Sequence, residues 1–198
     1  MEGQMKQVIK QHYEAGDDRR RQIASAARKL IAEKGFEGLR TREIADAVGI
    51  NVATMHYHVP NKEALIVLIA ESLGEELEAD RAAMRRDGPP LELFEAELEN
   101  YGQRLQKRPE TMKVFSELMQ RAGRDETIRR IMTPFADQWH NRFTEIFEQG
   151  IKTGDFRPGL NPVAAASITM GAAIHHRHKP KQEFAALKSE LVNAFRKH

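Results

Sequence analysis

Apolar residues recur every three or four positions along most of this chain, and no stretch shows the alternation typical of a strand. Glycine and proline interrupt the pattern repeatedly and mark the ends of successive helices. The predicted helices span about 17–34, 41–48, 52–59, 61–86, 91–108, 112–122, 128–151, 163–177 and 184–195. The pattern therefore predicts an all-α fold, with a three-helix head that contains a helix-turn-helix and a C-terminal bundle of about six helices.

Two stretches fit this pattern less simply. Residues 1–16 lack a clear apolar stripe, and we expect either weak order or a helical extension there. Pro134 lies inside the pattern of 128–151. Because proline lacks the N–H that a helix interior requires, we expect Pro134 to kink or divide that helix.

The head is organised around residues 41–62, which have the pattern of two short helices joined by a tight turn. Thr41 has the chemistry of an N-cap, Gly49 can end the first helix in a left-handed conformation, and Asn51 can cap the second. The inward positions at helical spacing are Ile44, Ala45, Val48, Met55 and Val59. In DNA-binding proteins the second helix of such a pair lies in the major groove, although similar pairs also occur as plain packing units.

The segment IADAVGINVATMHYHVPNKEAL, residues 44–65, resembles the signature of the tetracycline-repressor (TetR) family of one-component transcriptional regulators. The matching positions are Ile44, Ala45, Gly49, Thr54, Tyr57, His58, Val59, Asn61, Lys62 and Leu65. His56 stands where the family usually has Tyr, and Ala53 where it often has Gly or Pro. The resemblance implies an N-terminal extension at 1–16, a DNA-binding domain at 17–62, and a ligand-binding and dimerisation domain at 63–198.

Charge and composition add limits to this interpretation. The net charge is only +2, but residues 17–62 hold nine Lys/Arg and six Asp/Glu, an excess that suits phosphate binding and equally suits a solvated surface. Cysteine is absent, which excludes disulfides, thiolate metal sites and a cysteine nucleophile. The N-terminus lacks an apolar signal segment, and the longest apolar run, 64–70, is too short for a membrane span. We therefore expect a cytoplasmic protein with no membrane partner.

The recognition helix offers candidates for both kinds of DNA contact. Val52, Ala53 and His56 could reach base edges, since apolar groups contact the thymine methyl and histidine can donate to guanine. Arg42 could reach either a base or a phosphate. The resemblance implies phosphate contacts at Thr41, Thr54, Tyr57, His58 and Lys62. The competing interpretation of Tyr57 and His58 is that both only close the small core of the head.

The C-terminal bundle carries large apolar residues on three consecutive helices, which the resemblance implies fold around an effector. The candidate ligand-binding residues are Phe94, Tyr101, Met112, Phe115, Met119, Trp139, His140 and Phe143. An apolar wall with few hydrogen-bonding groups favours a small apolar or aromatic effector over a phosphate or a sugar. Packing in a filled core is the default alternative for each of these side chains.

Three histidines near the end of the 163–177 helix form the strongest candidate metal cluster: His175, His176 and His178. Cations at the C-terminal end of a helix dipole explain them more simply, so we predict no metal ligand. No spacing suggests a nucleophile with a base, and we predict no catalytic residue and no cofactor.

The last two predicted helices combine small residues with an apolar stripe, which favours them as the dimerisation surface. The stripe consists of Phe184, Leu187, Leu191 and Phe195. We predict a homodimeric, ligand-responsive repressor that binds a palindromic double-stranded DNA operator and is released by its effector. The alternative is a helical protein that binds a small molecule or a metal and has a vestigial helix-turn-helix. A helical enzyme is less consistent with the sequence.

Overall fold

A computed structural model describes residues 2–84 and 86–197, without the side chains of residues 2–15 and 178. This part of the chain forms nine α-helices and no strand beyond the isolated bridge between Phe156 and Arg196. The helices are α1 (Glu2–Lys34), α2 (Thr41–Val48), α3 (Val52–His58), α4 (Lys62–Ala82), α5 (Pro90–Lys107), α6 (Pro109–Ala122), α7 (Glu126–Thr153), α8 (Pro162–His175) and α9 (Lys181–Phe195). A short 3-10 segment, His176–His178, follows α8. The predicted all-α fold is confirmed.

Three differences from the predicted helices bear on the architecture. Helix α1 begins at Glu2, so the helical alternative for the N-terminal stretch holds, while Met1 lies outside the described residues. Helix α4 ends at Ala82 rather than near residue 86. Helix α7 continues through Pro134 undivided, because apolar residues before and after it are buried and offset the one hydrogen bond that proline removes.

The contacts of the chain divide it into two compact units. The first comprises Met1–Ala79 and Lys113–Thr133, and the second Asp80–Met112 and Pro134–His198. The division does not coincide with the sequence boundary expected between residues 62 and 63. The reason is that Leu65, Ile66 and Ile69 of α4 are buried in the same core as α1.

The first unit supports the helix-turn-helix through a core built on α1. Its buried residues there, Ile23, Ala27 and Ile31, share one cluster with residues of α2, α3 and α4. Two polar links add to this apolar packing: Arg28 forms an ion pair with Glu76 of α4, and the Lys113 ammonium donates to the carbonyl of Ala32. The part of α6 that begins at Lys113 therefore belongs to the same compact unit as the DNA-binding head.

The second unit is built around an aromatic core. The ring of Phe94 lies 5.1–6.1 Å, centroid to centroid, from the rings of Phe143, Phe147, Phe156 and Phe195. Such tilted and edge-to-face contacts add stabilisation beyond the burial of apolar area. The core therefore ties α5 to α7, to the loop after α7 and to α9.

The two last helices use their faces differently from the expectation. Phe184, Leu191 and Phe195 are buried inside the second unit, so most of the α9 stripe packs within the chain's own core. Helix α8 instead carries large apolar side chains on its outer surface: Val163, Ile168 and Ile174 are all exposed. The apolar stripe of α9 marks the face that packs inward, because a stripe of large apolar residues usually packs in a core. Among the described helices none is long and apolar enough to cross a membrane.

Candidate nucleic-acid interface and effector unit

The turn between α2 and α3 has the geometry of a helix-turn-helix. Gly49 adopts a left-handed conformation with φ 72°, and its N–H donates to the carbonyls of Ala45 and Asp46. The Asn51 side chain accepts a 2.7 Å hydrogen bond from the Thr54 N–H and so caps α3. These two residues fix where one helix ends and the next begins.

The expected capping role of Thr41 is wrong. The N-cap of α2 is Arg40, which has extended backbone and no side-chain cap, and Thr41 is the first helical residue. The Arg40 guanidinium donates to the carbonyls of Glu37 and Leu39, at 2.7 and 3.2 Å. These bonds stabilise the turn before α2 and place the N-cap at Arg40, one residue before Thr41. The Thr41 hydroxyl is therefore available for another contact.

Helix α3 has one buried side and one exposed side. Met55 lies in the core, whereas Val52, Ala53, His56 and Tyr57 are exposed. The Tyr57 side chain retains 79% of its accessible surface, which argues against the alternative that it only closes the head core. The exposed side of α3 thus carries all three residues predicted to reach base edges.

His58 ends α3 and is half-buried. Burial, followed by the nearby charges of Arg19 and Arg20, lowers the pKa of His58. The Arg20 guanidinium also donates a 3.1 Å hydrogen bond to the carbonyl of His58. A basic group of α1 is therefore held beside the end of the recognition helix.

The remaining predicted DNA contacts also belong to the first unit. Lys62 is exposed at the start of α4, where the Asn61 side chain accepts a 2.8 Å hydrogen bond from the Ala64 N–H. Arg42 is exposed in the first turn of α2, and Thr41 and Thr54 are half-buried. Helix N-termini with exposed cations are suited to phosphate.

The predicted effector residues fall into different environments. Phe94 and Phe143 are completely buried in the aromatic core of the second unit. Tyr101 is stacked on Trp139 at 4.9 Å between centroids, and burial raises the pKa of Tyr101 to about 12. The Trp139 Nε1 is buried without a hydrogen-bond partner in the part of the chain that is described. The His140 Nε2 lies 2.9 Å from the Ser167 hydroxyl.

The three candidates on α6 are separated by the division into units. Met112 packs beside the cluster of Tyr101 and Phe184 in the second unit. Phe115 and Met119 pack against the core of the first unit. The structure therefore brings six of the eight predicted residues into one unit and leaves the other two in the core that supports the head.

The second unit also has a cleft of about 450 Å³ that the sequence did not predict. Its lining consists of Asp80, Ala83, Met84, Ala96, Asn100, Gln103, Arg104, Lys107 and Arg108, and includes none of the eight predicted residues. The sequence contained one signal for it. Glu97, Tyr101 and Arg104 are spaced i, i+4, i+7 on α5, so polar groups interrupt its apolar face.

The histidines at the end of α8 and in the 3-10 segment do not form a metal cluster among the side chains that the structure describes, and the side chain of His178 lies outside them. The rings of His175 and His176 are in edge contact, 5.4 Å between centroids. The Nδ1 of His176 lies 2.9 Å from the carbonyl of Ala172, a position from which it donates to the helix end.

Comparison with known proteins gives matches to both parts of the chain. The pattern of the bacterial regulatory proteins of the tetR family matches residues 23–69, and that of the BetI-type transcriptional repressor C-terminal region matches residues 90–175. The HTH-type transcriptional regulator BetI of Rhizobium meliloti (strain 1021) is 29% identical over 119 residues. That match covers 60% of this chain and 59% of the relative.

Solved structures share the fold at low sequence identity. A transcriptional regulator from Saccharomonospora viridis in complex with choline has a TM-score of 0.81 at 18% identity, over 92% of this chain and 100% of that chain. AibR in complex with isovaleryl coenzyme A and operator DNA has a TM-score of 0.73 at 22% identity, over 89% and 97%. The family patterns at both ends, together with the helix-turn-helix geometry, show that the chain belongs to the TetR family of transcriptional regulators.

Proposed function

We propose that this protein is a homodimeric repressor that binds a palindromic operator and leaves it when a small molecule occupies the second unit. The observation that carries the proposal is the exposed side of α3. Val52, Ala53, His56 and Tyr57 turn away from the core although three of them are large or apolar. Their exposure is explained if this side enters a major groove.

The proposed DNA contacts divide into two kinds. Val52, Ala53 and His56 are assigned to base edges, where they set sequence preference. Lys62, together with Thr41, Thr54, Tyr57 and His58, is assigned to phosphates, which set affinity and position. Arg42, exposed in the first turn of α2, is assigned to either a base edge or a phosphate. These roles distinguish side chains that change specificity from side chains that change only affinity.

The proposed dimer interface is centred on the outer side of α8. Val163, Ile168 and Ile174 are exposed there, and a Cβ built on Gly171 would meet no other atom within 4 Å. Exposed apolar side chains on both sides of a small residue suit the close approach of a second helix. A two-fold axis through this surface would present the two heads to a symmetric operator.

The proposed response to ligand uses helices that belong to both units. The division between the units falls inside α4, α6 and α7, so each of these helices continues from one unit into the other. An effector bound in the second unit would favour chain conformations in which the spacing of the heads no longer fits the operator. Tyr101, Trp139 and His140 are the predicted effector contacts that combine an apolar surface with a polar atom.

Two substitutions test the assignment of DNA contacts. Lys62→Ala should weaken binding to all sequences to a similar degree and reduce the salt slope by about one unit, because one phosphate contact is lost. His56→Ala should instead change the preference at one base pair by about 1–3 kcal/mol. Fluorescence anisotropy over a set of single-base operator variants, at several salt concentrations, measures both effects.

The two variants are controls for each other, since both remove an exposed side chain of the head. A change of sequence preference in Lys62→Ala, with none in His56→Ala, would contradict the assigned roles. If the DNA affinity of the unmodified protein does not depend on salt, the alternative of a vestigial helix-turn-helix is supported.

The response to ligand can be followed through Trp139, the sole tryptophan. We expect a small apolar or aromatic effector to change its emission and, in the same concentration range, to release operator DNA. Trp139→Phe is the matched control, because it removes the fluorescence signal and keeps an aromatic ring at the site. Emission changes without DNA release at any concentration would show a ligand site that is not coupled to the head.

A further inference from the structure

The cleft of the second unit has the size and lining of a ligand site. Its volume of about 450 Å³ lies within the range typical of small-molecule pockets. Ala83, Met84 and Ala96 form an apolar part of the wall. The Asn100 amide adds hydrogen-bonding groups, whereas the Gln103 amide donates to Glu99 and accepts from Lys107. A ligand with a short apolar body and a polar head would match this lining.

The charges around the cleft are unbalanced. The Arg108 guanidinium donates to both oxygens of Asp80, at 2.9 and 2.8 Å. Glu97, only 4% exposed, accepts a 3.2 Å hydrogen bond from the Arg142 Nε. Asp80 and Glu97 are the carboxylates that attract the charge of Arg104. Each of them is bonded to a different arginine.

Arg104 differs from Arg108 and Arg142 because neither Asp80 nor Glu97 is bonded to it. Its Nε is buried and has no hydrogen-bond partner among the described residues. A buried donor without an acceptor is unfavourable, and the guanidinium stays charged at neutral pH. Lys107 adds a further positive charge to the lining. The lining of the cleft therefore carries more positive than negative charge, which favours an anionic ligand beside Arg104.

We propose that this cleft binds a small aliphatic carboxylate, with the carboxylate on Arg104 and the hydrocarbon against Ala83, Met84 and Ala96. Arginine pairs with carboxylates through two parallel hydrogen bonds, which its two terminal nitrogens can supply. A quaternary ammonium ligand such as choline would meet an excess of positive charge. The inference rests on the proposed ligand response, but it places the ligand in this cleft rather than at Tyr101, Trp139 and His140, and it names a carboxylate as the chemical class.

Binding is tested on the full chain without DNA, using hexanoate as the probe. Hexanol and choline serve as neutral and cationic comparisons in isothermal titration calorimetry. We expect hexanoate to bind at least about tenfold more tightly than either, because a charge-assisted hydrogen bond is lost in both comparisons. Hexanoate should also shift the NMR resonance of the Arg104 Nε–H in the unmodified protein, since an anion then binds to the same guanidinium.

Substitutions locate the contact. Arg104→Gln should weaken hexanoate binding by about 10- to 100-fold. Arg104→Lys should recover only part of that loss, because lysine cannot form the paired hydrogen bonds. Lys152→Gln is the matched control: it removes the same charge from an exposed position of the second unit, outside the cleft, and should leave binding unchanged.

The inference is overturned if choline or hexanol binds as tightly as hexanoate, or if the Arg104 Nε–H resonance does not respond. The NMR measurement uses the unmodified protein, so the test stands even if Arg104→Gln fails to fold. DNA release is measured separately. Hexanoate binding through Arg104 that leaves the operator complex intact would support this site and contradict the proposed ligand response.

Discussion

Ile168→Glu is expected to convert the protein from dimer to monomer at micromolar concentration and to abolish tight operator binding. Ile168 is 58% exposed on α8 in the single chain, so a charged residue there does not disturb the folded subunit. In the proposed two-fold interface the substitution buries a carboxylate from each subunit near the axis. An unpaired buried charge costs about 2–5 kcal/mol, so each of the two carboxylates by itself raises the dissociation constant of the dimer by about 30- to 5,000-fold.

Sedimentation velocity and operator titration measure the two consequences together. Leu191→Glu is the informative comparison, because Leu191 is only 7% exposed and packs inside the second unit. It should lower the melting temperature, whereas Ile168→Glu should leave the melting curve of the subunit nearly unchanged when both are measured under monomeric conditions. A wild-type protein that sediments as a monomer at micromolar concentration would rule out this interface.

Phe94→Ala is expected to lower the free energy of unfolding of the second unit by about 3–5 kcal/mol. Phe94 is fully buried and its ring contacts four other phenylalanine rings, so its removal leaves a cavity that the surrounding helices cannot easily close. Globular domains have only about 5–15 kcal/mol of total stability, so this single change is severe. Chemical denaturation followed by circular dichroism gives the value.

Tyr57→Ala is the matched control for Phe94→Ala, since it removes an aromatic ring that is exposed. Its effect on stability should stay within about 0.5 kcal/mol, while operator affinity falls. The comparison also tests whether Phe94 belongs to the core or to a ligand pocket. A loss of ligand binding with almost no loss of stability in Phe94→Ala would assign Phe94 to a pocket wall.

The local features of the head could be predicted from sequence because each depends on a few neighbouring residues. Gly49 ends α2 in the left-handed conformation and Asn51 caps α3, as their chemistry indicated. Thr41 failed as a cap because the choice between Thr41 and Arg40 depends on hydrogen bonds made by the Arg40 side chain to the preceding turn. Such contacts have no signature in the spacing of apolar residues.

Features that depend on packing between distant helices were harder to predict from the sequence. The apolar stripe of α9 is visible in the sequence, but periodicity does not say whether it packs inside the subunit or against a partner. In the sequence Phe94 and Phe115 are both large apolar residues at helical spacing, yet they pack in the cores of different units. Arg104 was not recognised, because its importance comes from the pairing of Asp80 and Glu97 with other arginines.

The central claim is that the exposed side of α3 reads a symmetric operator, and selection from random double-stranded DNA tests it most directly. The full-length protein is incubated with the DNA pool at moderate salt, and bound sequences are recovered and sequenced. We predict enrichment of an inverted repeat whose half-site centres lie about 34–36 Å apart, or a multiple of that distance. The His56→Ala variant should enrich a site changed at the same position in both halves. Recovery of sequences that share no motif, with binding that is strong only at low salt, would contradict the account.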